Sequence, residues 1–142
     1  MIRFYSETDF QLDDQAFFSD WIAAVIELEQ GEVGNINFVF CDDEYLLEIN
    51  QRHLQHDYYT DIITFDYSEE NCISGDLFIS VDRVADNAFT YEVDFEQELS
   101  RAMVHGVLHM LGYDDSSEED IALIRSKEDE YLSLQANNVE ED

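Results

Sequence analysis

The chain is poor in most of the features that give a sequence away at first sight. Its only cysteines are Cys41 and Cys72. That excludes a disulfide framework and leaves two free thiols suited to a reducing compartment. No run of about 18 apolar residues occurs, which excludes a membrane-spanning helix. The opening residues, Met1 to Glu7, hold no apolar stretch of the secretory kind, so a soluble, cytoplasmic protein is expected. Gly/Ser-rich linkers and internal repeats are missing, so nothing divides the chain. Residues 1–135 read as one domain and 136–142 as a flexible acidic tail. Proline is absent altogether, and nothing in the composition accounts for that.

Basic residues are scarce too. Six Lys+Arg stand against 35 Asp+Glu, a formal net charge of −29, and Lys127 is the one lysine. Such a surface repels nucleic acid and anionic lipid over a Debye length. It reads as a heavily solvated surface, and it is also complementary to a basic partner protein. What the chain does have is apolar substance. At 45% hydrophobic and 13% aromatic it can bury a real core without staples.

Periodicity and caps give the element order β-α-β-α-β-β-α-α-α. Residues 2–5 form a short strand. Asp13 or Asp14 caps a helix to about Gln30, with Phe17, Phe18, Trp21, Ile22, Val25 and Ile26 as its stripe and Gly31 as its stop. Ile36, Phe38 and Phe40 mark a strand. Asp42 or Asp43 caps a helix through Leu46, Ile49 and Leu54, and residues 55–61 form a loop. Strands follow at 62–65 and 72–81, with Gly75 as a bulge or close approach. Helices cover 82–92, the stretch from Asp94 to Gly112, and a last segment from Ser116 or Ser117 to about Gln135. The expected class is α+β: one small mixed sheet of about four strands covered by about five helices, with a metal site on a helix and the turn after it.

That site is the segment His105 to Asp115. His105 and His109, four apart, share one helix face and can bind one metal ion. Gly112 can take a positive φ and turn the chain back, so Asp115 reaches the same ion. The pattern is H-x3-H-x2-G-x2-D, in a helix otherwise apolar at Leu99, Ala102, Met103, Leu108 and Leu111. Buried histidines there need polar partners. A zincin protease carries Glu directly after its first His as general base, but Gly106 stands there, which disfavours peptide hydrolysis. The glycine is expected to leave room beside the metal for a large substrate. A metal-bound water acidified toward neutrality would serve as nucleophile.

The segment His105-Gly106-Val107-Leu108-His109-Met110-Leu111-Gly112-Tyr113-Asp114-Asp115 resembles the H-G-x-L-H-L-x-G-Y-D-H hallmark of the YbeY-type ribosomal RNA maturation factors, a family of metal-dependent endoribonucleases. Glu48-Ile49-Asn50-Gln51-Arg52 is similar to the family's L-N-x-x-[FY]-R region. Thr60-Asp61-Ile62-Ile63-Thr64-Phe65 is similar to T-D-V-L-S-F, and Gly75-Asp76-Leu77-Phe78-Ile79 to G-D-I-x-I. Glu128 falls where the family has a glutamate. The resemblance runs in order from about residue 36 to 132.

The resemblance implies cleavage of single-stranded RNA, in maturation of small-subunit ribosomal RNA and in ribosome quality control. It implies a functional arginine at Arg52, whose guanidinium could hold a phosphate and stabilise transition-state charge. It puts the third ligand at Asp115, with Asp114 as the alternative. Here the chain departs from the family, which has His at that position. Two histidines and a carboxylate suit Zn²⁺ best, with Fe, Ni or Mn also accommodated. The expected partners are ribosomal RNA and a ribosomal or ribosome-associated protein, since Arg52, Arg3, Arg83, Arg101, Arg125 and Lys127 make no basic footprint. His53 and His56 are candidate substrate contacts, and Thr60 and Asp61 candidate shapers of the cleft. Ser74 has no triad partner in view. The competing readings are a metal-stabilised, non-catalytic ribosome-binding protein and a redox iron enzyme.

Overall fold

A computed structural model describes residues 1–54 and 60–141, with side chains through Gln135. The expected loop at 55–61 therefore lies mostly outside the described residues, as does His56. The elements are β1 (Ile2–Ser6), α1 (Gln15–Leu28), β2 (Glu32–Cys41), α2 (Asp43–His53), β3 (Ile62–Asp66), β4 (Cys72–Ser80), α3 (Val81–Tyr91), α4 (Phe95–Met110) and α5 (Glu118–Glu141). The sheet order is β1-β2-β4-β3. The β1–β2 and β2–β4 pairs are parallel, and β3 runs antiparallel to β4. The α+β class, the four-stranded mixed sheet and the five helices are as expected.

The core explains the layering. Trp21, Ile22, Val25 and Ile26 of α1, Ile36, Phe38 and Phe40 of β2, and Leu99, Met103 and Val107 of α4 form one buried cluster. Burying each such side chain is worth about 1.5–3 kcal/mol relative to exposure. A smaller cluster of Cys41, Leu46 and Ile63 forms with residues of α2. Trp21 Nε1–H donates to the Tyr131 carbonyl at 2.8 Å, which ties α1 to α5.

The ends of the elements are specific. Asp14, not Asp13, caps α1 and accepts from Phe17 N–H. Asp42 caps α2 through Tyr45 N–H at 2.8 Å. Ser117 caps α5 through Asp120 N–H at 3.1 Å. Asp94 occupies the cap position of α4 without a side-chain cap bond.

Two expectations are corrected and one alternative is settled. The left-handed residue ending α1 is Gln30, with φ 68°, not Gly31. Gly31 is needed for space instead, because a Cβ there would stand 3.1 Å from Ile26 Cγ2. Gly75 makes a close approach, its Cβ position lying 2.5 Å from the Phe65 carbonyl oxygen. The bulge lies across from it, between Val33 and Ile36 of β2. Last, α5 continues past Gln135 to Glu141, because no glycine or proline interrupts Ala136 to Glu141.

Candidate metal centre

α4 carries His105 and His109 one turn apart, and the chain leaves the helix through Gly112, whose φ is 105°. That left-handed residue costs glycine little and turns the backbone toward the histidines. His105 Nε2 and His109 Nε2 lie 3.0 Å apart. Asp115 Oδ2 lies 3.3 Å from His109 Nε2 and 3.8 Å from His105 Nε2. Ligands 2.0–2.1 Å from a tetrahedral ion stand roughly 3.3 Å from one another. The three donors are therefore spaced as one ion would space them. They form a group that could hold a metal ion.

The hydrogen bonds behind the histidines show that the group fits a cation. His109 Nδ1–H donates to the Tyr113 carbonyl at 3.0 Å, and a carbonyl can only accept. His105 Nδ1–H donates to Glu128 Oε2 at 2.7 Å. Both Nε2 atoms are left with lone pairs, aimed at each other and at a carboxylate. Three converging acceptors with no donor between them repel, and a divalent cation relieves that repulsion. These two partners also answer the demand that histidines in an apolar helix be satisfied.

Glu128 is itself held. Arg101 Nη1–H donates to its Oε1 at 2.9 Å and Arg101 Nη2–H to Asp129 at 2.8 Å. Burial favours the neutral form of Glu128, but His105 and Arg101 outweigh it and keep the carboxyl below its usual range. Burial likewise opposes charge on His105, and Glu128 outweighs it, raising the imidazole above its ordinary value. Burial pushes the Asp61 carboxyl up, with His105 acting against it.

The other candidates divide. Asp114 accepts from Asp115 N–H at 2.8 Å and from the Ser116 hydroxyl at 3.0 Å, so it shapes the turn and stays out of the triad. Thr60 and Asp61 line a cleft of about 500 Å³ with Asn50, Ile62, His105 and Asp115. Arg52 is not among the cleft's lining residues. It pairs with Glu48 at 2.5 Å on the exposed side of α2. The His53 ring packs edge-on against Phe65, with centroids 5.9 Å apart. Ser74 Oγ accepts from Asn35 N–H at the β2 bulge, a structural task.

Gly106 does not make room for substrate. A Cβ there would meet Leu77 Cδ2 at 2.4 Å and Ile62 Cδ1 at 2.8 Å. The residue lets α4 sit close against β3 and β4, because the vacancy faces the sheet.

Sequence reasoning gave Glu128 no role, although a signal existed. Ile124, Glu128 and Tyr131 lie on one face of α5, and all three are buried. A carboxylate within that apolar spacing calls for a partner. The Tyr113 carbonyl left no signal at all, since every residue carries one.

The profile of the family described as Endoribonuclease YbeY matches residues 3–135. An Endoribonuclease YbeY from Flavobacterium johnsoniae is 54% identical over 134 residues, covering 94% of this chain and 96% of its own. One from Flavobacterium psychrophilum is 52% identical with the same coverage. A Thermotoga maritima protein with a solution structure is 26% identical, has a TM-score of 0.66, and covers 100% of this chain and 96% of its own. No described helix is long and apolar enough to cross a membrane. With the match running through nearly its whole length, the chain belongs to the YbeY endoribonuclease family.

Proposed function

We propose that the chain is a metal-dependent endoribonuclease that cuts single-stranded ribosomal RNA during ribosome maturation and quality control. The observation that carries this reading is the triad of converging acceptors, His105, His109 and Asp115, opening onto a cleft of about 500 Å³. Family membership names the reaction class.

His105, His109 and Asp115 hold the ion in this reading, and Glu128 and the Tyr113 carbonyl keep each imidazole turned so that Nε2 faces it. A divalent ion held there, Zn²⁺ by preference and Fe, Ni or Mn as alternatives, would supply Lewis acidity and a water made more acidic. Arg52 holds a substrate phosphate and the negative charge that develops on it. To do so it leaves Glu48, and such exposed helical pairs are worth only about 0.3–0.5 kcal/mol. Asp61 and Thr60 form the wall against which the strand is laid.

Residues 1–135 make the metallohydrolase domain and 136–142 its acidic tail, in the cytoplasm. The −29 surface is assigned to a basic ribosomal or ribosome-associated protein that brings the enzyme to RNA.

The test is cleavage of single- and double-stranded RNA by purified protein, with chelator, with metal added back, and with elemental analysis. The expected result is single-strand cleavage lost with chelator and restored by the metal found. Arg52→Ala should lower kcat at unchanged metal content. If His109→Ala, shown to be folded, cleaves as fast as wild type, the reading fails.

A further inference from the structure

The triad opens on two sides. Beside the 500 Å³ cleft lies a second of about 270 Å³, bounded by α3 and α5. Asp61, His105 and Asp115 line both. The candidate metal centre therefore forms a saddle between two depressions, and a polymer laid across it would occupy both.

The second cleft differs in chemistry from the first. Tyr91, at the end of α3, is 62% exposed and lines it. Arg125 lines it from α5 with a side chain 59% exposed, and its Nη1 lies 3.8 Å from Glu128 Oε1, at the limit of an ion pair. The other basic side chains are committed elsewhere or lie away from the triad. Arg101 is held by Glu128 and Asp129, Arg83 by Asp43, and Lys127 by Glu29. Of the six basic residues, Arg125 alone combines a cleft beside His105 with a largely exposed guanidinium. An exposed aromatic ring and an exposed arginine in one cleft are the usual equipment for unpaired nucleotides, which stack by their faces and pair by their phosphates.

We propose that the α3–α5 cleft is a second substrate subsite, in which Tyr91 stacks a base of single-stranded RNA and Arg125 binds its phosphate, so that the strand crosses the triad from one cleft into the other. This rests on the endoribonuclease reading and adds the path of the strand. It places the reacting phosphodiester inside the bound segment and not at its end, as internal cleavage requires. It also offers a cation to the backbone in a chain otherwise hostile to it. Tyr91 and Arg125 are substrate-binding residues here, remote from the bond that breaks.

The experiment uses the full chain loaded with its metal. Binding of a fluorescein-labelled single-stranded RNA is measured by anisotropy across a salt series, and kcat and KM are measured for its cleavage. Tyr91→Ala should weaken binding and raise KM about tenfold with kcat little changed, while Tyr91→Phe keeps the ring and the affinity. Arg125→Ala should make the slope of log K against log salt shallower by about 0.7, with Arg125→Lys restoring it. Circular dichroism checks that these exposed substitutions leave the fold intact. Wild-type affinity, KM and salt slope in both alanine variants would overturn the second subsite while leaving the nuclease reading standing. A wild-type protein that neither binds nor cuts RNA would take down both.

Discussion

His105 Nδ1 stands 2.7 Å from Glu128 Oε2, and this contact determines which face of the imidazole is left for an ion. Nδ1–H donates to the carboxylate, so Nε2 keeps its lone pair. The same carboxylate is anchored by Arg101, which in turn holds Asp129. A partner twenty-three residues downstream on another helix thus orients a ligand it never touches the metal to help.

The first prediction follows from that contact. Glu128→Ala should lower metal affinity about 10–100-fold, measured by competition with a calibrated chelator. The loss should exceed that of Asp129→Ala, which removes only the outer end of the same chain. Equal affinities for Glu128→Ala and wild type would show that the imidazole needs no orienting partner.

Gly106 gives a second prediction. Alanine there brings Cβ to 2.4 Å from Leu77 Cδ2 and 3.0 Å from Thr64 Oγ1. The Leu77, Ile62 and Thr64 side chains have to give way or the helix has to shift, at a cost of about 1–3 kcal/mol. Urea unfolding should show the midpoint falling at constant m-value. If Gly106→Ala is as stable as wild type, the close contact between α4 and the sheet does not exist.

A third concerns acid. Burial alone would raise the Asp43 carboxyl. Arg83 and the Ser80 hydroxyl, which donates at 2.6 Å, outweigh it and hold it below the usual value. A folded pKa below the unfolded one, about 3.9, stabilises the protein above that value and ceases to do so as pH falls through the folded one. Asp43→Asn should therefore cost stability at pH 6 and progressively less as pH drops below 4. A stability difference constant from pH 6 to pH 2.5 would contradict this.

The fourth concerns the thiols. Burial pushes Cys41 up to about 12, with Asp42, Asp43 and Asp82 adding to it. Cys72 is only half-buried. Native protein treated with iodoacetamide near neutral pH should carry the label at Cys72 first, and at Cys41 only after denaturation. Mass spectrometry of peptides reads this directly, and early labelling of Cys41 would mean its surroundings open readily.

The element order and the triad were legible because both are local. Apolar spacing named the stripe of α1, and the positions of His105, His109, Gly112 and Asp115 are a matter of helix geometry and one permissive backbone angle. What escaped was tertiary. Nothing in β2 or β4 announces that they lie side by side and parallel, with β3 reaching the edge by turning back. Gly106 looked like room for a substrate because the sheet beneath it was unseen. Arg52 came from the family likeness, and its pairing with Glu48 on α2 was not part of that likeness. Glu128 belonged to the centre and drew notice only as a family likeness. Pairing across elements depends on where helices are set down, which periodicity does not carry.

The three donors of the centre all come from the one short stretch between His105 and Asp115, while Glu128 and Arg101 join them from other turns of the fold. Closing so small a loop asks little of a disordered chain. If the centre holds an ion, the unfolded protein would keep some hold on it, and an ion shared by both states would stabilise the native one by less than its full affinity. On a growing chain, the donors emerge together and can engage an ion before α5 is made. The later arrival of Glu128 would then turn a loose grip into a directed one, the last helix completing what the short segment begins.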